Sequence, residues 1–314
     1  MKHEVMAETV QERKAAVVGV VGRTNAGKST IVNRLVGEKV SIVSPAEQTT
    51  RNTIRGIVED SRGQLVLLDT PGLHKAVDSL GRLLNGMARA SSAGVDILLV
   101  VFDAAHEPQL EDDGWMRRVA KETPAKCVFA LNKSDRSPFY ETMFRDLWQD
   151  IRKSTGSAAE PKWVTISGIK KGGCDALADT LFALAEPGPA LFPEDIVTDY
   201  PRKLAIADVI REKLLQRLRD EVPHEAGVTV TEIDERRQGT WEVSATIYVN
   251  RPSQKGIVIG PGARMIKEVR MSAEPELSDM FSVRVHLSLW VKVVPNWMKN
   301  NRILAEMGYL GSER

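Results

Sequence analysis

The sequence predicts a doubly wound α/β domain followed by a small α+β domain. Three observations carry this. Near-continuous Val/Ile/Leu runs alternate with amphipathic stretches over the first part of the chain. Runs of that kind suit strands buried on both faces of a parallel sheet. A Pro-rich break follows at 185–195, and beyond it the apolar period changes.

The buried-strand runs are AAVVGVVG (15–22), QLVLLD (64–69), DILLVVFD (96–103), AKCVFALN (125–132) and KWVTIS (162–167). Stretches such as STIVNRLVGE and MFRDLWQDIRK lie between them, so the order reads as βαβ units. The break AEPGPALFPED holds three prolines and a glycine, which marks a linker. Ile206, Ile210, Leu214, Leu218 and Val222 then recur every four residues and predict one face of a helix. GVTVTEIDERRQ and TWEVSATIYVN read as two strands around a turn, and ARMIKEVRMSAE as a helix. Val285, Leu287, Leu289, Val291 and Val293 alternate as in a half-buried strand. The expected order of the second domain is therefore helix, strand, strand, helix, strand.

Composition excludes several classes. The chain has 314 residues and a net charge of +1, with 42% hydrophobic and 27% charged residues, as in soluble globular proteins. The C-terminal third is locally basic, with nine Lys and Arg against four Asp and Glu between Arg251 and Arg302. Cys127 and Cys174 are too few for a disulfide framework or zinc cluster, so a reducing cytosolic compartment is expected. The polar start has no signal-peptide character, and the run Ile97 to Phe102 is too short to span a bilayer. Peripheral membrane contact stays open.

GRTNAGKS (22–29) fits Gly-x-x-x-x-Gly-Lys-Ser between a strand-like and a helix-like run. Such a loop turns its N–H groups and the helix N-terminus toward phosphates. Gly22, Arg23, Thr24, Asn25, Ala26, Gly27, Lys28, Ser29 and Thr30 are thus candidate nucleotide contacts. Lys28 supplies charge to the outer phosphates, and the Ser29 hydroxyl suits Mg²⁺. Asp69 ends the next buried strand and can reach the same ion, within the run Asp69, Thr70, Pro71, Gly72, Leu73. The Gly72 N–H can sense a terminal phosphate. In EQTTRN (47–52), Thr50, or else Thr49, offers a further hydroxyl to Mg²⁺. Lys28, Thr50, Asp69 and Gly72 are the candidate catalytic set.

Asn132, Lys133, Ser134 and Asp135 read as a guanine reader. The Asp135 carboxylate would accept from guanine N1 and N2, and the Asn132 amide would serve N7 and O6. Adenine would leave the carboxylate unpaired, so an ATPase is disfavoured. Ser167 and the Gly168 N–H, in ISG, can support the base.

In this order and spacing, GRTNAGKS, QTTR, DTPG, NKSD and ISG resemble the translation-factor-class GTPases. The resemblance implies a P-loop GTPase fold and hydrolysis of GTP to GDP and phosphate. Leu73 stands where Ras-like enzymes carry a water-orienting glutamine, so backbone, an ion or a partner is expected to place the water. GTPases with this hydrophobic replacement form a class that the chain resembles. Several of them carry Asn where Asn25 stands and use K⁺, so K⁺ near Asn25 is an expectation.

The segments TDYPRKLAIADVIREKLLQRLRDEVPH, IYVNRPSQKGIVIGPGARMIKEV and RVHLSLWVKVVPNW, with the junction FPEDIVTD, resemble the Era family of bacterial GTPases. Its members carry a C-terminal type II KH domain. The resemblance divides the chain into a polar tail (1–14), a GTPase domain (15–187), a linker (188–201), a KH domain (202–296) and a C-terminal tail (297–314). It implies an RNA clamp at Gly260, Pro261, Gly262 and Ala263, flanked by Lys255, Arg264 and Lys267, with Trp290 placed to stack on a base beside Lys292. The family pattern has Lys where Pro261 stands and Gly where Ala263 stands, so a weakened backbone grip is expected. The implied partners are the 3′ end of 16S rRNA and the 30S subunit, with a monomeric state and peripheral inner-membrane association as further family expectations. Rival readings are a tRNA-modification or large-subunit assembly GTPase, and an RNA-binding protein with little catalysis. The single Gly-Lys-Ser loop and an end without cysteine argue against the first; the presence of Lys28, Ser29 and Asp69 argues against the second.

Overall fold

The computed structural model describes residues 13–43, 51–71, 94–218 and 222–310. In the first domain, β1 (Lys14–Val21), β3 (Gly63–Asp69), β4 (Ile97–Asp103), β5 (Cys127–Asn132) and β6 (Lys162–Thr165) run parallel. The sheet order is β2-β3-β1-β4-β5-β6. One face packs on α1 (Lys28–Val36) and α4 (Asp175–Leu184), the other on α2 (Leu110–Glu122) and α3 (Glu141–Thr155). Among the described residues this is the expected doubly wound arrangement. The second face has an aromatic core in which Phe102, Phe129, Phe144, Trp148 and Trp163 meet at centroid distances of 5.0 to 5.3 Å. Burying each such ring contributes about 2 kcal/mol.

An additional strand, β2 (Ile54–Asp60), pairs antiparallel with β3 at the sheet edge. Arg55, Glu59 and Asp60 interrupt its apolar pattern, which hides it in the sequence. A two-residue β7 (Glu186–Pro187) pairs with β1.

The expected linker is docked against this edge. The wholly buried Gln64 amide accepts from the Leu191 and Phe192 N–H groups and donates to the Phe192 carbonyl, all at 2.8 to 2.9 Å. The Ile57 N–H donates to the Val197 carbonyl at 2.9 Å, and Arg55 pairs with Asp199.

The second domain holds α5 (Arg202–Arg217), a short α6 (Val222–Glu225), β8 (Gly227–Arg237), β9 (Thr240–Val249), α7 (Pro252–Ile259), α8 (Arg264–Phe281) and β10 (Arg284–Val293). The sheet order is β10-β9-β8, with β9 and β10 parallel and β8 antiparallel. α5 stops at Arg217, yet Leu218 and Val222 still bury in the same core as Ile206, Ile210 and Leu214.

Between α5 and β10, two helices more than the expected order are present among the described residues, the short α6 and α7. α7 takes up the apolar run before the glycine loop. Pro252 sits in its first turn, and the Gln254 side-chain Oε1 accepts from the Asn250 and Arg251 N–H groups at 2.9 and 3.0 Å. Periodicity alone does not separate so short a run from a strand.

Residues 297–310 are folded rather than a tail. A 3₁₀ turn (Trp297–Lys299) and α9 (Asn301–Glu306) bury Trp297, Ile303, Leu304, Met307 and Tyr309 against Tyr248. Gly227 permits this, since a Cβ there would lie 2.5 Å from Met307 and 2.7 Å from Trp297. No helix among the described residues is long and apolar enough to cross a membrane.

Candidate functional site

The phosphate-type loop joins β1 to α1. Gly22 has φ of +147°, and a Cβ on it would lie 2.3 Å from the Val101 carbonyl oxygen. Gly27 has φ of +98°, and a Cβ would lie 2.3 Å from the Asn132 amide nitrogen. Asn25 also takes a left-handed conformation, with φ of 60°. Gly22 and Gly27 therefore bend the backbone where side chains would block it. Ala26 is wholly buried.

Lys28 is buried, and its ammonium donates to the carbonyls of Gly22 at 3.2 Å and Arg23 at 2.9 Å. Burial pulls its pKa down to about 8. Asp69 is also buried, and burial pushes its carboxyl up, against the opposing pull of Ser29, Lys28 and Ser41. Neither Asp69 oxygen completes a well-formed hydrogen bond. The Thr70 hydroxyl donates to the Val20 carbonyl at 2.8 Å and so ties the turn after β3 to β1. Thr49, Thr50, Gly72 and Leu73 lie outside the described residues.

Asn132 holds two loops together. Its Nδ2 donates to the Ala26 carbonyl at 2.9 Å, and its Oδ1 accepts from the Gly168 N–H at 3.0 Å. These two bonds use one Nδ2 hydrogen and one Oδ1 lone pair of the amide. Asp135 is the freer carboxylate. The Ser167 hydroxyl donates to it at 2.5 Å and holds its pKa below the usual range. The Ser134 N–H donates to the Ile166 carbonyl, while Lys133 is left-handed at φ 68°. Arg34 of α1 adds bonds to the carbonyls of Gly168 and Ile169 at 3.2 and 2.9 Å.

Asp103, at the end of β4, is a member that sequence reasoning missed. It is buried and pairs with Lys133 at 2.7 Å and Arg23 at 3.0 Å. Asp112 of α2 lies 3.3 Å from Arg23, and burial raises its pKa to about 6. The one available signal was an acidic residue ending a buried strand, as Asp69 ends β3.

On the second domain, Gly260 (φ 73°), Gly262 (φ 57°) and Ala263 (φ 59°) are all left-handed. A Cβ on Gly260 would lie 2.7 Å from Met265, so glycine is required there. Gly262 faces open space. Ala263 carries a strain of about 1 kcal/mol at the N-cap of α8. Pro261, Gly262, Ala263, Arg264, Lys255 and Lys267 are all exposed, and Arg264 pairs with Glu268 at 2.8 Å.

Trp290, 69% exposed, and Lys292 are not brought together with this loop. Leu289, Val291 and Val293 pack into the core on the helix side of β10. Trp290 and Lys292, opposite Thr246 and Tyr248, take the other face of the sheet. The glycine loop and the pair Trp290 and Lys292 thus lie on two surfaces of the domain.

Fold and site together define a P-loop guanine-nucleotide protein joined to a KH module. Residues 17–133 match the family described as 50S ribosome-binding GTPase, and residues 221–298 match the KH domain. GTPase Era of Rippkaea orientalis is 38% identical over 299 residues, covering 94% of this chain and 92% of its own. That of Ruminiclostridium cellulolyticum is 37% identical over 297 residues, covering 94% and 97%. Among solved structures, Era in complex with MgGDPNP and nucleotides 1506–1542 of 16S ribosomal RNA superposes with a TM-score of 0.86 at 32% identity, covering 95% of this chain and 99% of that one. Aquifex aeolicus Era bound to GDP and AlF4⁻ gives 0.85 at 32% identity, covering 94% and 99%. The chain belongs to the Era family of GTPases.

Proposed function

We propose that this GTPase uses its nucleotide state to control binding of the KH face to the 3′ region of 16S rRNA during assembly of the 30S subunit. The observation that carries this is the relative bound to both MgGDPNP and nucleotides 1506–1542, which aligns with nearly the whole chain. The site chemistry supports the nucleotide half. Asp135 with Ser167 reads guanine, Asn132 holds the reader to the phosphate loop, and Lys28 meets the outer phosphates.

Mg²⁺ fits this site, because a buried carboxylate without well-formed hydrogen bonds lies beside the Ser29 hydroxyl. Ser29 and Asp69 would hold the ion, with Thr50 or Thr49 proposed as a third contributor. Bound there, it neutralises charge on the phosphates. Within this proposal Gly72 contacts the terminal phosphate by its N–H, and Leu73 leaves the attacking water to other groups. K⁺ near Asn25 is proposed as one such group, and equal hydrolysis rates in KCl and NaCl would remove it.

Lys255, Arg264 and Lys267 would meet RNA phosphates beside the loop 260–263. Trp290 and Lys292 would contact RNA only where the strand passes to the outer face of the sheet. The proposed setting is the cytoplasm, with the protein as a monomer and any membrane contact peripheral.

The test is binding of a short strand matching the 3′ end of 16S rRNA, with GTP analogue and with GDP, against a scrambled strand. The expected result is sequence-selective binding that depends on nucleotide. Indifference to sequence would refute the RNA assignment and leave the GTPase.

A further inference from the structure

We propose that one turn of α5, from Asp208 to Glu212, joins the nucleotide domain to the RNA domain, and that Lys39 is the positioning residue of this joint. The inference deepens the function proposed above and rests on it.

The stretch from Val43 to Arg51 contains Thr49 and Thr50. Both of its flanks are held by the second domain and by the end of the linker that enters it. On the N-terminal side, the Lys39 ammonium donates to Glu212 at 2.7 Å and to Glu276 at 2.5 Å. The Val43 N–H donates to the same Glu212 oxygen at 3.3 Å. On the C-terminal side, the Asn52 amide donates to the Tyr200 hydroxyl at 2.8 Å and to the Met307 carbonyl at 3.0 Å. The Tyr200 hydroxyl in turn donates to Asp208 at 2.8 Å. Arg51 donates to the Ala226 carbonyl at 3.3 Å and lies over the Tyr309 ring.

Asp208 and Glu212 are four residues apart, so they share a helix face about 6 Å along the axis. Two chain segments that flank one stretch of the nucleotide domain therefore end on one helical turn of the RNA domain. The second path starts at the clamp. α8 begins at Arg264, directly after the glycine loop, and reaches Glu276 about 18 Å further on. A movement of the clamp end of this helix is delivered to Lys39 through Glu276.

Lys39 is the informative residue because the glutamates have a second cation. Lys213, from the same α5, pairs with Glu276 and lies 3.3 Å from Glu212. Gln216 also donates to Glu212 at 3.0 Å. Without Lys39 the two carboxylates keep partners within their own domain, so the fold is spared while the side-chain link from Lys39 to Glu212 and Glu276 is lost.

The experiment compares RNA affinity with GTP analogue and with GDP, in wild type and in Lys39→Met, Lys39→Arg and Glu276→Gln. Nucleotide affinity, basal hydrolysis and melting temperature are measured alongside. Wild type is expected to show a ratio of about fivefold or more between the two states. Lys39→Met is expected to bring that ratio to within about twofold, with nucleotide affinity and basal hydrolysis unchanged. Lys39→Arg is expected to restore it, and Glu276→Gln to lower it from the RNA side. If Lys39→Met keeps the wild-type ratio, or loses it only together with nucleotide affinity, the joint is overturned and the proposed function stands. Should Lys39→Met unfold, Glu276→Gln decides on the same criterion. If wild type itself shows no ratio, the nucleotide control proposed above falls, and the joint falls with it.

Discussion

The two working surfaces are built in opposite ways. In the nucleotide site, Lys28, Asp69, Asp103 and Asn132 are at most 6% exposed, and Lys28, Asp103 and Asn132 are each held by backbone or by a fixed neighbour. At the clamp, the loop 261–263 and Arg264 and Lys267 all stand in solvent. A charge already out of water interacts strongly and pays little reorganisation when a ligand arrives. A charge in water works through counterion release and is screened by salt. The first site therefore depends steeply on single atoms, and the second on the sum of several weak contacts.

The largest expected effect comes from Lys28→Ala, which should lower GTP hydrolysis by about 10²-fold or more. A loss of only a few-fold in single-turnover hydrolysis would break the contrast, because it would make the buried ammonium dispensable. The same group carries a pH dependence. Its pKa of about 8 lies below the ordinary value of 10.5, and a bound phosphate favours the charged form. Nucleotide affinity should thus be full below pH 8 and fall as pH rises through that value, by up to about tenfold per unit. Calorimetry above pH 8 in two buffers of different ionisation enthalpy should show proton uptake on binding, and no uptake would sink the assignment.

A smaller effect is expected from Pro261→Lys, which restores an N–H and a positive charge to the loop. RNA affinity should rise a few-fold, and the slope of log affinity against log salt should steepen by about 0.7. An unchanged slope would show that position 261 does not face a phosphate.

The legible parts of the site were those in which function sits in contiguous backbone. The loop 22–29 and the run 132–135 are contiguous motifs, so their spacing alone marked them as candidates, and the structure brings them together through Asn132 and Ala26. Asn132 shows where that stops. Its partners Ala26 and Gly168 are 106 and 36 residues away, and only folding reveals that the amide holds two loops together. Asp103 was hidden for a related reason, since its partner Arg23 is distant in the chain. In the fold, β2 was masked by its charged positions, and α7 by an apolar run too short for its period to speak.

The phase of β10 was legible, because alternation needs only the strand itself. Which face the helices cover was not, and that separates Trp290 from the glycine loop. The last segment makes the same point. The apolar residues Trp297, Ile303, Leu304 and Met307 are scattered among Asn, Lys and Arg, and they acquire a place only when Gly227 leaves room on the sheet. By itself the sequence determined the order of a GTPase domain and a KH domain and membership of a guanine-nucleotide family, because local propensity and contiguous motifs set these. The tertiary structure alone decided how the domains meet. Lys39, Asn52, Asp208, Glu212 and Glu276 come from four separate stretches, and no local preference brings such distant charges and amides to one turn of helix.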